Sequence, residues 1–183
     1  MAIGSKLNRS FRAFIERQPV FFVATAAPEG RVNVSPKGMG TLEILSDSRL
    51  RWLNLSGSGN ETAAHLRLSD RMTLMFCAFE GDARILRVYG TARATHPHDS
   101  DWAERTAVFP DLAGSRQVID MKIDMVQTSC GSGVPLMELK AQRGHDELVP
   151  YFEEMGPAGI AAYWQRKNTR SIDGYETGIL GDD

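Results

Sequence analysis

The residues best suited to chemistry lie in the run Leu53-Asn54-Leu55-Ser56-Gly57-Ser58-Gly59-Asn60-Glu61-Thr62-Ala63-Ala64-His65-Leu66. An apolar strand pattern runs into a glycine-rich turn and then opens a helical pattern. Free amides at a helix N-terminus, aided by the helix dipole, make a phosphate site. Ser56, Ser58, Asn60 and Thr62 add neutral hydrogen-bonding groups. A plainer reading competes, because Ser58-x-x-Glu61 has the spacing of a capping box that satisfies the helix end without a ligand. Two basic residues stand out elsewhere. Lys37 follows Arg31-Val32-Asn33-Val34-Ser35-Pro36, where a lysine is ordinarily solvated. Arg87 stands in mid-strand and shares a face with Ile85 and Tyr89. An arginine so flanked needs a carboxylate, such as Asp120 or Asp124 on another strand, or a bound anion.

Other reactive residue types form no constellation. Cys77 and Cys130 are too far apart for a CxxC pair. Cys130, in Ser129-Cys130-Gly131-Ser132-Gly133, reads as a loop cysteine because no histidine or basic residue adjoins it. His65 reads as a packing or surface histidine. His96 and His98 flank Pro97 without a third donor, so no metal site is expected. Met72, Met75, Met121 and Met125 are core filler at strand spacing, and Asp120, Lys122 and Asp124 read as a solvated strand face. No side chain is assigned as a catalytic acid or base.

The elements that must position these residues are mostly strands. Ile119, Met121, Ile123 and Met125 alternate with Asp120, Lys122 and Asp124, which marks a half-buried strand. Strands are expected over 20–27, 31–35, 41–45, 49–55, 71–79 and 84–95, with turns at Pro28-Glu29-Gly30, Ser46-Asp47-Ser48 and Glu80-Gly81-Asp82. The run 71–79 is nearly continuously apolar, as for a strand buried on both faces. Leu7, Phe11, Phe14 and Ile15 predict a helix over 5–18 stopped near Pro19. Further helices are expected over 60–68, from Asp99 to before Pro110, over 146–155 and over 157–168, with 169–183 an irregular tail. Many short antiparallel strands with few helices predict a mainly β fold, a barrel or sandwich with helical additions.

Composition narrows the function classes. The 183 residues fit one domain. With 42% hydrophobic and 24% charged residues, disorder and low complexity are excluded. A net charge of -2 argues against a nucleic-acid or polybasic membrane binder. Residues 1–11 lack an apolar signal core, and no apolar run approaches the roughly 20 residues needed to span a bilayer. A cytoplasmic location is the expectation.

Four segments in order resemble the pyridoxamine 5'-phosphate oxidase-like family of FMN-binding split β-barrels: Val32 to Lys37, Leu55 to Leu66, Arg71 to Phe79, and Leu86-Arg87-Val88-Tyr89-Gly90. The resemblance covers roughly residues 10–130. It implies an antiparallel split barrel over 1–135, with 136–183 a helical extension of the same domain, and FMN at the interface of a homodimer. It implies that the backbone of Val34 and Ser35 meets the isoalloxazine ring and that Lys37 lies near the ring's polar edge or the phosphate. Leu55, Ser56, Asn60 and Thr62 would line the phosphoribityl chain. Glu61-Thr62 stands where the oxidases carry an Arg-Lys pair, so helix amides, Lys37 and an arginine elsewhere must compensate, and Arg87 is the expected one. Ile85 replaces a glutamine, and Trp164 and Arg166 do not match the segment used for the vitamin B6 substrate. The implied activity is an FMN-dependent oxidoreductase with hydride transfer through flavin N5 to or from a small-molecule substrate or nicotinamide donor. The alternatives are a non-enzymatic flavin-binding module, or the same fold holding a deazaflavin or haem. The expected homodimer would cover Trp52, Tyr89 and the strand face around Ile85.

Overall fold

A computed structural model describes residues 2–181. The alternating apolar segments become eight strands: β1 (Ile3–Gly4), β2 (Val20–Thr25), β3 (Asn33–Gly38), β4 (Leu42–Ser46), β5 (Arg49–Leu55), β6 (Arg71–Cys77), β7 (Arg84–Thr95) and β8 (Ser115–Cys130). They form one antiparallel sheet in the order β3-β2-β6-β7-β8-β5-β4, with β1 added to β8. The sheet curls into a split β-barrel. Its inner face holds the core, where Val23, Leu50, Trp52, Leu74, Leu86, Val88, Ile119, Met121 and Val126 are fully buried. Trp52 therefore needs no second subunit to cover it, contrary to expectation. β6 is buried on one face, while Thr73 and Met75 on the other are half-buried, so the reading of a strand buried on both faces is corrected.

The longest pairing joins β7 to β8, from Arg84 opposite Cys130 to Thr95 opposite Val118. Its register shifts between Tyr89 and Gly90. There the strands approach so closely that a Cβ on Gly90 would lie 1.9 Å from the carbonyl oxygen of Lys122. Only glycine fits this bulge.

Helices cover the open ends. α1 (Arg9–Glu16) is shorter than predicted, because Asn8 caps it by accepting from the Phe11 amide at 2.9 Å. Phe14 and Ile15 bury its inner face. α2 (Glu61–Leu68) follows the glycine-rich turn, and α3 (Trp102–Thr106) is a short helix over β8. After a single wide turn (Gly144–Leu148), α4 (Val149–Lys167) kinks at Gly156, whose φ of 65° leaves the helical region just before Pro157. The expected break between two C-terminal helices lies at this kink. Beyond α4 the chain has little regular structure, as expected, but it is packed: Thr177 is fully buried and Ile179 is 3% exposed. Among the described residues, no helix is long and apolar enough to cross a membrane.

Candidate functional site

The two borders of the curled sheet approach each other at one end of the barrel. There β3, β5, the start of β8 and the N-terminus of α2 enclose a cavity of about 320 Å³. Ser35, Lys37, Leu55, Ser56, Asn60 and Thr62 all line it, so six of the eight residues singled out in the sequence converge. Val34 and Arg87 do not. Val34 points outward on β3 and is 61% exposed. Arg87 lies on the outer face of β7 and donates to Ser129 Oγ at 2.9 Å. Among the described residues, no ion pair joins Arg87 to Asp124 or to Asp120, which is taken by other arginines.

The arginine that lines the cavity is Arg116, which the sequence reading did not single out. It is 2% exposed and reaches beneath the glycine-rich turn from β8. Its Nη1 donates to the Gly57 carbonyl (3.0 Å) and Asn60 Oδ1 (2.9 Å), and its Nη2 to the Gly59 carbonyl (2.8 Å). Its Nε donates to Gln117 Oε1 at 3.1 Å. These bonds hold the turn in place and bring a positive charge under it. Burial lowers the Arg116 pKa to about 10, while Tyr163 and Glu61 pull the other way; the guanidinium stays charged at neutral pH.

Lys37 reaches the cavity from the opposite wall and donates to Asn54 Oδ1 at 2.8 Å. Asn54 in turn donates to Gln117 Oε1 at 2.7 Å. Burial is the main reason that the Lys37 pKa falls to about 8; the Arg116 charge lowers it further, and Glu61 opposes both. A lysine whose charged form is disfavoured by burial and by a neighbouring guanidinium stands in a place suited to an anion.

The start of α2 faces the same space. The capping box expected from Ser58 and Glu61 does not form, and the residue preceding the helix, Asn60, gives no side-chain cap. Glu61 also lines the cavity, and its carboxylate is held by backbone amides: Oε2 accepts from Asn60 (3.0 Å) and Oε1 from Ile172 (3.2 Å). First-turn amides of a helix have no intrahelical partner, so those of α2 remain available. Thr62 Oγ1 accepts from Asn33 Nδ2 at 3.1 Å, which leaves its hydroxyl proton to donate. Ser35 Oγ donates to Asn33 Oδ1 at 2.8 Å.

Ser56 and Asn60, besides lining the cavity, hold the turn through their side chains. Ser56 Oγ donates to the Gly114 carbonyl and accepts from Trp164 Nε1, each at 2.7 Å. Asn60 Nδ2 donates to the carbonyls of Ser58, Lys167 and Arg170. Asn168 adds a bond from Nδ2 to the Gly57 carbonyl at 2.9 Å. The turn is thus clamped from below by Arg116 and from outside by the C-terminal segment. No local sequence signal announced the clamp, since Arg116 is more than fifty residues from the turn and the C-terminal partners more than a hundred. His65 is fully buried with Nδ1 3.1 Å from Thr25 Oγ1, which is the packing role. Among the described residues, no group of three or more His, Cys, Asp or Glu could hold a metal.

The sequence profile described as pyridoxamine 5'-phosphate oxidase matches residues 7–130. The chain belongs to the pyridoxamine 5'-phosphate oxidase family. A curated relative, the pyridoxamine 5'-phosphate oxidase family protein ustO of Aspergillus flavus, is 37% identical over 185 residues, covering 92% of this chain and 74% of the relative. Among solved structures the fold is similar to HupZ of Group A Streptococcus, with TM-score 0.56 at 16% identity over 69% of this chain and 95% of that one. It is also similar to a putative pyridoxamine 5'-phosphate oxidase of Lactobacillus delbrueckii, with TM-score 0.52 at 19% identity over 67% and 93%. At these identities the structures show the family's split-barrel fold. The C-terminal clamp on the turn lies outside the residues that match the family profile.

Proposed function

We propose that this protein is an FMN-dependent oxidoreductase whose cavity holds the flavin's phosphate. One observation carries the reading: the side chains of Lys37 and Arg116 bring two cations to the cavity lined by the uncapped start of α2. The donor set fits a phosphate, because Lys37, the Thr62 hydroxyl and the first amides of α2 all offer protons. Lys37 has ammonium protons beyond the one given to Asn54. Arg116 acts through the turn it shapes and through its charge, since its bonds go to protein acceptors. The Glu61 carboxylate, which stands where family oxidases carry a base, is engaged by two backbone amides of its own chain.

Bound flavin would supply hydride exchange at N5 with a nicotinamide donor or small substrate. The protein's residues bind the phosphate, fix the turn and keep water out behind Trp164 and Ser56. Family membership supports FMN, and the cavity's charge supports the phosphate as the handle. A homodimer would complete the site, bringing the outer face of β7 against a second copy. Exposed Val32 and Val34, together with half-buried Ile85 and Tyr89, support this pairing.

Spectra of the protein after incubation with FMN or haem, followed by anaerobic addition of a reduced nicotinamide, test the reading. Flavin absorbance that co-elutes with the protein and bleaches on reduction is expected. A Soret band with no retained flavin would overturn it.

A further inference from the structure

A second cleft, of about 710 Å³, shares only Ala63 with the walls of the first cavity. Strand register builds its floor. Across β7, β8 and β5 it sets Thr91, Lys122 and Arg49 in one row and Arg93, Asp120 and Arg51 in the next. The face read from sequence as solvated is covered at Asp120, which is 8% exposed. Arg49 Nη2 and Arg51 Nε donate to its Oδ1 at 3.2 and 3.1 Å, and Arg105 of α3 donates to its Oδ2. Asp101 Oδ2 accepts from Arg93 Nη2 at 2.8 Å and Arg105 Nε at 2.6 Å. Four guanidiniums therefore share two carboxylates, and Lys122 adds a fifth cation. The far wall is closer to balanced: Arg67 stands with Asp70 and Asp99, and Asp99 accepts from the His96 amide and faces His98. With the far wall counted, six cations meet four carboxylates, a surplus of two positive charges on a chain whose net charge is -2.

Holding α3 on the sheet does not require all of these groups. The Arg51 and Arg105 side chains, 10% and 18% exposed, already engage both oxygens of Asp120. Arg49 and Arg93 are 51% and 58% exposed, and among the described residues each uses one nitrogen on a carboxylate. Their remaining N–H donors and the exposed Lys122 ammonium border the cleft. We infer that this cleft is a second, oxyanion-binding site that takes the phosphate or diphosphate group of a small molecule, with Arg49, Arg93 and Lys122 as its donors. A carboxylate would offset one unit of the surplus, whereas a phosphate monoester brings about two negative charges at neutral pH. The guanidinium fork also matches phosphate oxygens in pairs.

The inference is independent of what the first cavity holds, and its test is built accordingly. Inorganic pyrophosphate is titrated calorimetrically into Lys37→Met protein, which removes the ammonium of the first cavity. Saturable binding is expected there, weakened at least about tenfold by Arg49→Gln with Lys122→Gln, the scale of lost charged hydrogen bonds. Arg51 and Arg105 stay on Asp120 in that variant. Should it fail to fold, Lys122→Glu alone, on an exposed side chain, is expected to weaken binding in the same direction. Absence of saturable binding to Lys37→Met protein, or affinity unchanged by the folded cleft variants, would overturn the second site and leave the FMN reading untouched.

Discussion

Lys37 and Asn54 lie on strands near opposite ends of the sheet order, yet their side chains meet at 2.8 Å. This contact ties the open borders of the split barrel together across the mouth of the cavity. It also presents a half-buried ammonium to whatever occupies that space. The same lysine thus has a structural partner and spare donors.

Replacing Lys37 separates those roles. Lys37→Met removes a desolvated cation together with one hydrogen bond, so the apo protein is expected to keep its thermal stability to within about 1 kcal/mol. FMN affinity should fall by about 1.5–3 kcal/mol, the usual scale for a hydrogen bond to a charged group. Fluorescence titration and thermal unfolding measure the two quantities side by side.

The lowered pKa of Lys37, about 8, makes anion binding proton-linked. A bound phosphate favours the charged lysine and raises its pKa, so the complex holds more proton than the free protein above pH 8. FMN affinity should therefore fall as pH rises through this region, with proton uptake on binding. Calorimetry at pH 8.5 or so, in buffers of different ionisation enthalpy, reads the uptake, and Lys37→Met should abolish it.

His96 sets an acid limit on stability. It is 7% exposed, and among the described residues its Nδ1 has no hydrogen-bond partner. Burial, reinforced by His98 and opposed by Asp99, lowers its pKa from 6.5 to about 4. The unfolded chain binds this proton first, so stability should decline as pH falls from 6.5 towards 4. Urea unfolding across that range is expected to show the slope in the wild type and a shallower one in His96→Gln.

Gly90 is the position where one methyl group should cost most. Its absent Cβ would overlap the Lys122 carbonyl oxygen, a backbone atom that cannot rotate away. Gly90→Ala is expected to lose about 3 kcal/mol or more, beyond the usual range for overpacking. Chemical denaturation that finds a loss below about 1 kcal/mol would mean that the β7–β8 bulge relaxes freely.

Alternation made the strands legible, because Ile119, Met121 and Ile123 can face only one side of a pleated sheet. The turn between β5 and α2 was legible from its glycines and from the helix that follows. Arg116 was not. In sequence it is one arginine at the start of a strand, and its burial follows from the carbonyls of Gly57 and Gly59 meeting it in space. Asp120 was misjudged for a related reason, since period two cannot say that α3 and three arginines cover the polar face. Arg87, chosen for its apolar neighbours, finds a serine on the adjacent strand. The Asn60, Trp164 and Asn168 contacts needed the whole chain to be folded before they could be seen.

The central claim is that the cavity between Lys37 and the start of α2 reads the flavin's phosphate. Its most direct test compares FMN with riboflavin, which lacks that group, in wild-type and Lys37→Met protein. The account predicts that FMN binds the wild type at least about tenfold more tightly than riboflavin does, and that most of this preference disappears in the variant. Equal affinity for the two flavins in the wild type, or a preference that survives loss of Lys37, would contradict it.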